Sequence, residues 1–111
     1  MTTYDFKDGN GPVPAHQHPK GGGWVADTAT VSPTSYVGPN ARVFGNAHVY
    51  GNARVYDNAR VSDNAFVYDD ALVYGYAQVY GDAIVYDYAR VYDDAQVYGY
   101  AAVSGDDQKS S

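Results

Sequence analysis

Ala53-Arg54-Val55-Tyr56-Asp57-Asn58 runs directly into Ala59-Arg60-Val61-Ser62-Asp63-Asn64 and then Ala65-Phe66-Val67-Tyr68-Asp69-Asp70. The order is constant: a small residue, a variable one, Val, usually Tyr, then two turn formers. Working outward, Val recurs every six residues from Val25 to Val103, fourteen times without a slipped register. Two positions before each Val stands Ala, except at Gly23 and Ser35. The residue after Val is Tyr at Tyr50, Tyr56, Tyr68, Tyr74, Tyr80, Tyr86, Tyr92 and Tyr98, with Phe44 and then Ser32, Ser62 and Ser104 as substitutes.

A six-residue period is incompatible with a helix, whose repeat near 3.6 would smear the apolar residues around its whole surface. It suits four extended residues and a two-residue corner. Along the extended part side chains alternate, so Ala and Val share one side while the variable residue and Tyr share the other. Val favours strands through its branched Cβ, and Gly, Asn and Asp tolerate positive φ at the corner. Self-similarity at this period predicts an all-β solenoid, in which each unit buries its inner face only by stacking on its neighbours.

The pairs Val43 with Ala47 and Val49 with Ala53, a large aliphatic followed four positions later by a small residue, resemble the hexapeptide-repeat left-handed parallel β-helix. The fit runs from Gly23 to Ser104, about three quarters of the chain. The resemblance implies a single-stranded triangular solenoid with three hexapeptides per coil and a left hand, hence between four and five coils here. The family usually has a small or acidic residue where this chain has Tyr. The near-uniform units, preceded by the Gly- and Pro-rich opening Asp8–Val25, are also similar to short hexapeptide-repeat proteins of phage and bacterial genomes, whose function is unsettled.

With eighteen residues per coil, the outward positions sort onto three faces. Face one carries Arg42/Phe44, Arg60/Ser62, Gln78/Tyr80 and Gln96/Tyr98. Face two carries His48/Tyr50, Phe66/Tyr68, Ile84/Tyr86 and Ala102/Ser104, and has no Arg. Face three carries Arg54/Tyr56, Leu72/Tyr74 and Arg90/Tyr92. Stacked Tyr should form ladders. An apolar band of Tyr50, Phe66, Tyr68, Ile84 and Tyr86 is the kind of patch that marks a contact surface. Tyr56, Leu72, Tyr74 and Tyr92 form a secondary aromatic face. Asn40/Asn58 and Asn46/Asn64 are placed to form amide ladders at the corners.

Charge and composition exclude more than they assign. The 111 residues carry 13 acids, all Asp, against 7 Lys plus Arg, for a net charge of −6. That balance argues against a direct grip on nucleic-acid phosphates. With no Cys there is no disulfide, thiolate zinc site or cysteine nucleophile. No apolar run approaches membrane-helix length, and no signal peptide is visible at the start, so a cytoplasmic or virion-associated location is expected. Residues 1–22 break the period and read as an irregular cap over the first coil, with Tyr4 and Phe6 placed to plug the core. Residues 23–104 are the repeat, and 105–111 a polar tail that caps poorly and leaves the last coil open to another copy.

Left-handed β-helices include acyltransferases and gamma-type carbonic anhydrases, but the resemblance does not carry those activities over. No insertion interrupts the repeat between Val25 and Val103 to embrace an acyl donor, and His48 has no acid placed to orient it as a general base. His16 and His18 alternate on an extended segment and are weak candidates to share a metal, since two ligands do not close a zinc site. The blander alternative is a cap loop with both His exposed. The expectation is therefore a protein without cofactor, metal or catalytic residues. It associates with itself or docks a protein partner through face two. An acidic nucleic-acid mimic aimed at a host protein, a carbohydrate-binding module using the Tyr ladders, and, least favoured, an acyltransferase are the alternatives.

Overall fold

The computed structural model describes residues 2–110; Met1 and Ser111, assigned above to the cap and the tail, lie outside the described residues. Its element pattern follows the hexapeptides. After β1 (Thr3–Asp5) and β2 (Pro12–Gln17), a strand begins every six residues, starting with β3 (Trp24–Ala26). Sheet one stacks β3, β6 (Arg42–Val43), β9 (Arg60–Val61), β12 (Gln78–Val79) and β15 (Gln96–Val97). Sheet two stacks β4 (Thr30–Val31), β7 (His48–Val49), β10 (Phe66–Val67), β13 (Ile84–Val85) and β16 (Ala102–Val103). Sheet three stacks β5 (Tyr36–Val37), β8 (Arg54–Val55), β11 (Leu72–Val73), β14 (Arg90–Val91) and β17 (Gln108–Lys109). Neighbours are parallel and offset by eighteen residues, as in Phe66↔Ile84 and Val67↔Val85. Five strands in each of three sheets make a β-solenoid of five coils.

The core is the Val and Ala column that the repeat predicts. Val37 and every repeat Val from Val43 to Val91 are fully buried, as is every Ala from Ala41 to Ala95 at the small position. Val31, at the end of sheet two, is only partly covered. Small Ala is required because three strands converge on the axis, and a larger inward residue there would overfill a close-packed interior.

The corners explain the Gly and Asp. Most corners are closed by a turn in which the residue at the small position, usually Ala, donates its N–H to the carbonyl three residues earlier, as Ala59 does to Tyr56 at 3.3 Å. From Gly45 onward the first corner residue has positive φ (65° at Gly45, 57° at Asp57, 60° at Asp69) and the second does not, as in a type II′ turn. At four of these positions an Asp carboxylate accepts the backbone N–H eighteen residues on: Asp57 from Gly75, Asp63 from Gly81, Asp69 from Asp87 and Asp87 from Gly105. Corner stacking among the described residues is thus built from Asp carboxylates and backbone amides rather than from Asn side-chain ladders.

Both ends depart from the expectation. The segment expected to be irregular contains two strands: β1 and β2 form an antiparallel hairpin, and β2 adds antiparallel to β3, while residues 6–11 and 18–22 run without strand. Tyr4 and Phe6 do not plug the axial column. They curl over the outer side of sheet one, where Phe6 stacks on Phe44 at 5.0 Å and Tyr4 on Trp24 at 4.8 Å. Phe6, Ala15, Ala26 and Phe44 form a second buried cluster there. Arg42 donates to the Tyr4 hydroxyl at 2.8 Å and Arg60 to the Phe6 carbonyl at 2.6 Å, pinning the hairpin down. Residues 20–23 cross the exposed edge of β5, with Gly23 N–H on the Val37 carbonyl and Val37 N–H on the Lys20 carbonyl. The hairpin extends sheet one to seven strands, and the longest dimension is 40 Å, against the roughly 20 Å of bare coils at the inter-strand spacing. At the other end the polar tail continues the repeat's register: Lys109 pairs with Val91, taking a Val position and ending the apolar column with a charge.

Candidate functional site

The sequence-derived band forms one continuous surface on sheet two. β7, β10 and β13 present His48, Phe66 and Ile84 side by side, because parallel register sets residues eighteen apart directly opposite. Beside them Tyr50, Tyr68 and Tyr86 form a ladder, with ring centroids 4.8 and 5.3 Å apart and planes within 1° and 7° of parallel. His48 stacks on Phe66 at 4.8 Å, and Tyr50 meets Phe66 edge-on at 6.4 Å. Phe66 and Tyr50 stay 36% and 39% exposed, whereas Tyr68, Ile84 and Tyr86 are half-buried. Burial first, and Asp69 second, raise the Tyr50 hydroxyl above its ordinary pKa. Burial also leads for Tyr68, followed by its stacked neighbours Tyr50 and Tyr86 and the corner acids Asp69 and Asp87. Those two Asp rim the face without entering it.

The secondary aromatic residues gather on sheet three. Tyr56, Tyr74 and Tyr92 stack at 4.9 and 5.3 Å, next to the row Arg54, Leu72 and Arg90. Tyr92 donates to Gln108 at 3.2 Å. Here burial is again the main cause of a raised Tyr56 hydroxyl, with Tyr74 and Asp57 adding to it and Arg54 and Arg90 opposing. Sheet one is different: the hairpin covers its first coils, and only Tyr80 and Tyr98 form a short ladder at 5.3 Å. The coverage was missed from sequence because Arg42, Phe44 and Arg60 stand at positions the repeat marks as outward.

The two cap His part company. The β2 strand ends at Gln17, and the turn closed by Gly22 N–H on the His18 carbonyl breaks the alternation that would align them. His16 is exposed and pairs with Asp27 at 2.7 Å. His18 is buried, against the expectation of an exposed cap His, and its Nε2 lies 2.8 Å from the Ser35 carbonyl oxygen. A carbonyl only accepts, so Nε2 carries the hydrogen. Among the described residues no three His, Cys, Asp or Glu side chains gather as a metal site requires, and no helix is long and apolar enough to cross a membrane.

A sequence-family profile described as "YdcK Beta solenoid repeat" matches residues 53–65, 65–78 and 77–93, the span from β8 to β14. The chain is a β-solenoid repeat protein. No curated protein and no solved structure matches it. The matched span of this solenoid holds Phe66, Ile84 and most of both Tyr ladders, so the features under discussion lie inside the repeat rather than in appended loops.

Proposed function

We propose that this β-solenoid is a non-catalytic scaffold that associates with a second copy of itself through sheet two. The observation that carries the reading is the uncharged row of Phe66 and Ile84 beside the Tyr50–Tyr68–Tyr86 ladder. The other faces are less suited. The hairpin occupies part of sheet one, and sheet three carries Arg54 and Arg90. A net charge of −6 repels a second copy over most approaches, and an uncharged face with an acidic rim is where that repulsion is least. Five strands at about 4.8 Å by four residues at about 3.3 Å give a face of roughly 300 Å². Stable interfaces bury about 800 Å² per partner. The association is therefore weak and concentration-dependent.

The ladder geometry favours protein over sugar, because each inner ring spends both faces on its neighbours and offers only edges and hydroxyls outward. The corner Asp have a structural duty in accepting amides of the next coil, which weakens the nucleic-acid-mimic reading. Light scattering on the wild type and on a Phe66→Asp/Ile84→Asp variant tests the proposal. The wild type gains mass with concentration, and the variant, folded by circular dichroism, stays monomeric. A wild type that remains monomeric throughout, or a folded variant that still associates, contradicts it.

A further inference from the structure

The sheet-three ladder stops short at its N-terminal end, and the interruption leaves a cleft. Tyr74 covers one face of Tyr56. Eighteen residues before Tyr56, where the repeat calls for the next ring, stands Gly38. A Cβ at Gly38 would lie 3.1 Å from the Tyr56 Cβ and 3.4 Å from the Tyr36 ring, so a ladder side chain there would have to push its neighbours back by a few tenths of an ångström. Tyr36 is held in turn by glycine. A Cβ at Gly21 would come within 3.0 Å of its ring, so the ring lies against both Gly21 and Gly38. Two aromatic side chains, each fixed by its own neighbours, thus line one opening. Pro39, Asn40, Arg54 and Asp57 complete the lining, and the volume is about 500 Å³. That is within the range of small-molecule sites, roughly 300–1,000 Å³.

The charges define the ligand. The Arg54 side chain is exposed, and its guanidinium makes no hydrogen bond or ion pair among the described residues; only the backbone N–H is engaged, on the Ala71 carbonyl. Asp57 accepts the Gly75 amide at 3.2 Å through Oδ2, and a carboxylate has further acceptor capacity. One cation and one anion beside an uncovered ring face match a planar ring that bears both a carboxylate and an ammonium group. We infer that the cleft binds a free aromatic amino acid, with its ring on Tyr56 in place of the missing ladder member. Arg54 takes the carboxylate by a charge-assisted bond, and Asp57 takes the ammonium.

The test is an amide-shift titration of the ¹⁵N-labelled protein with L-phenylalanine, with L-leucine as the ringless control. Saturable shifts are expected at Gly38, Asn40, Tyr56 and Asp57, with no saturation by L-leucine. Arg54→Gln, a change at an exposed side chain, should weaken binding about tenfold, and Asp57→Asn, which keeps a residue tolerant of positive φ, should weaken it by a similar factor. Absence of saturation with L-phenylalanine, equal response to L-leucine, shifts centred on sheet two, or unchanged affinity in both variants would each overturn the assignment.

Discussion

Val67→Ala probes the inner column on the middle strand of sheet two. Val67 is fully buried and stacks between Val49 and Val85 in consecutive coils. The substitution removes two carbons, which at about 0.8 kcal/mol each forfeits about 1.6 kcal/mol of transfer free energy. The neighbours are held by ladders above and below and relax little, so a cavity of about 50 Å³ adds about 1 kcal/mol at about 24 cal/mol per Å³. The expected loss is about 2–3 kcal/mol, or a fall in Tm of roughly 10 °C for a chain of this size. Val31→Ala is the internal control. Val31 is half-buried on a terminal strand, with a coil on one side only, and should cost about half as much. Thermal melts followed by circular dichroism give both values. Equal shifts for the two variants, or less than about 1 kcal/mol for Val67→Ala, would refute the stacked-column reasoning.

Other consequences concern the corners, the ladders and the cap. Asp87→Ala loses the bond to Gly105 and leaves a Cβ residue without that support at φ 60°, so it should cost about 2 kcal/mol. Asp87→Asn should cost much less in the same melts, because Asn tolerates this region. The Tyr68 hydroxyl is held above its ordinary value of 10.0, chiefly by burial. A raised folded-state value leaves stability intact below the ordinary value and erodes it as pH rises through the folded one. Alkaline unfolding, read by tyrosinate absorbance, should therefore move to higher pH in Tyr68→Phe. His18→Ala strips the donor from the buried Ser35 carbonyl and should cost about 1–3 kcal/mol. Its signature is faster amide exchange at Gly23 and Val37, which tie the cap to β5.

The solenoid was legible because its period depends on residues that recur. Val and Ala at fixed spacing define the inner side, and the eighteen-residue coil then places Phe66 beside Ile84 without further information. What was not legible rests on single residues acting across long separations. Phe6 reaches Phe44 and Arg60 reaches the Phe6 carbonyl, contacts that no local pattern announces. His18 looked like part of an alternating pair until the turn at Gly22 redirected it into a buried bond. Lys109 breaks the Val pattern, yet its backbone still pairs with β14, since ladder hydrogen bonds do not depend on the side chain. Gly38 follows Val37 where the repeat usually has Tyr, a gap in the aromatic column that the sequence reading passed over. Only the packing of Tyr36 against Gly21 and Gly38 shows that the gap opens onto a lined cleft.

The eighteen-residue register builds the aromatic face of sheet two, and a cysteine pair measures it directly, because the chain has no Cys of its own. Phe66→Cys/Ile84→Cys puts two thiols on adjacent parallel strands, with Cα atoms about 5 Å apart and within disulfide reach. Phe66→Cys/Leu72→Cys puts them on different sheets. Rapid intramolecular disulfide formation is expected in the first variant under mild oxidation, and none in the second, by intact mass of the dilute monomer. A free first pair, or a bridged second pair, would contradict it.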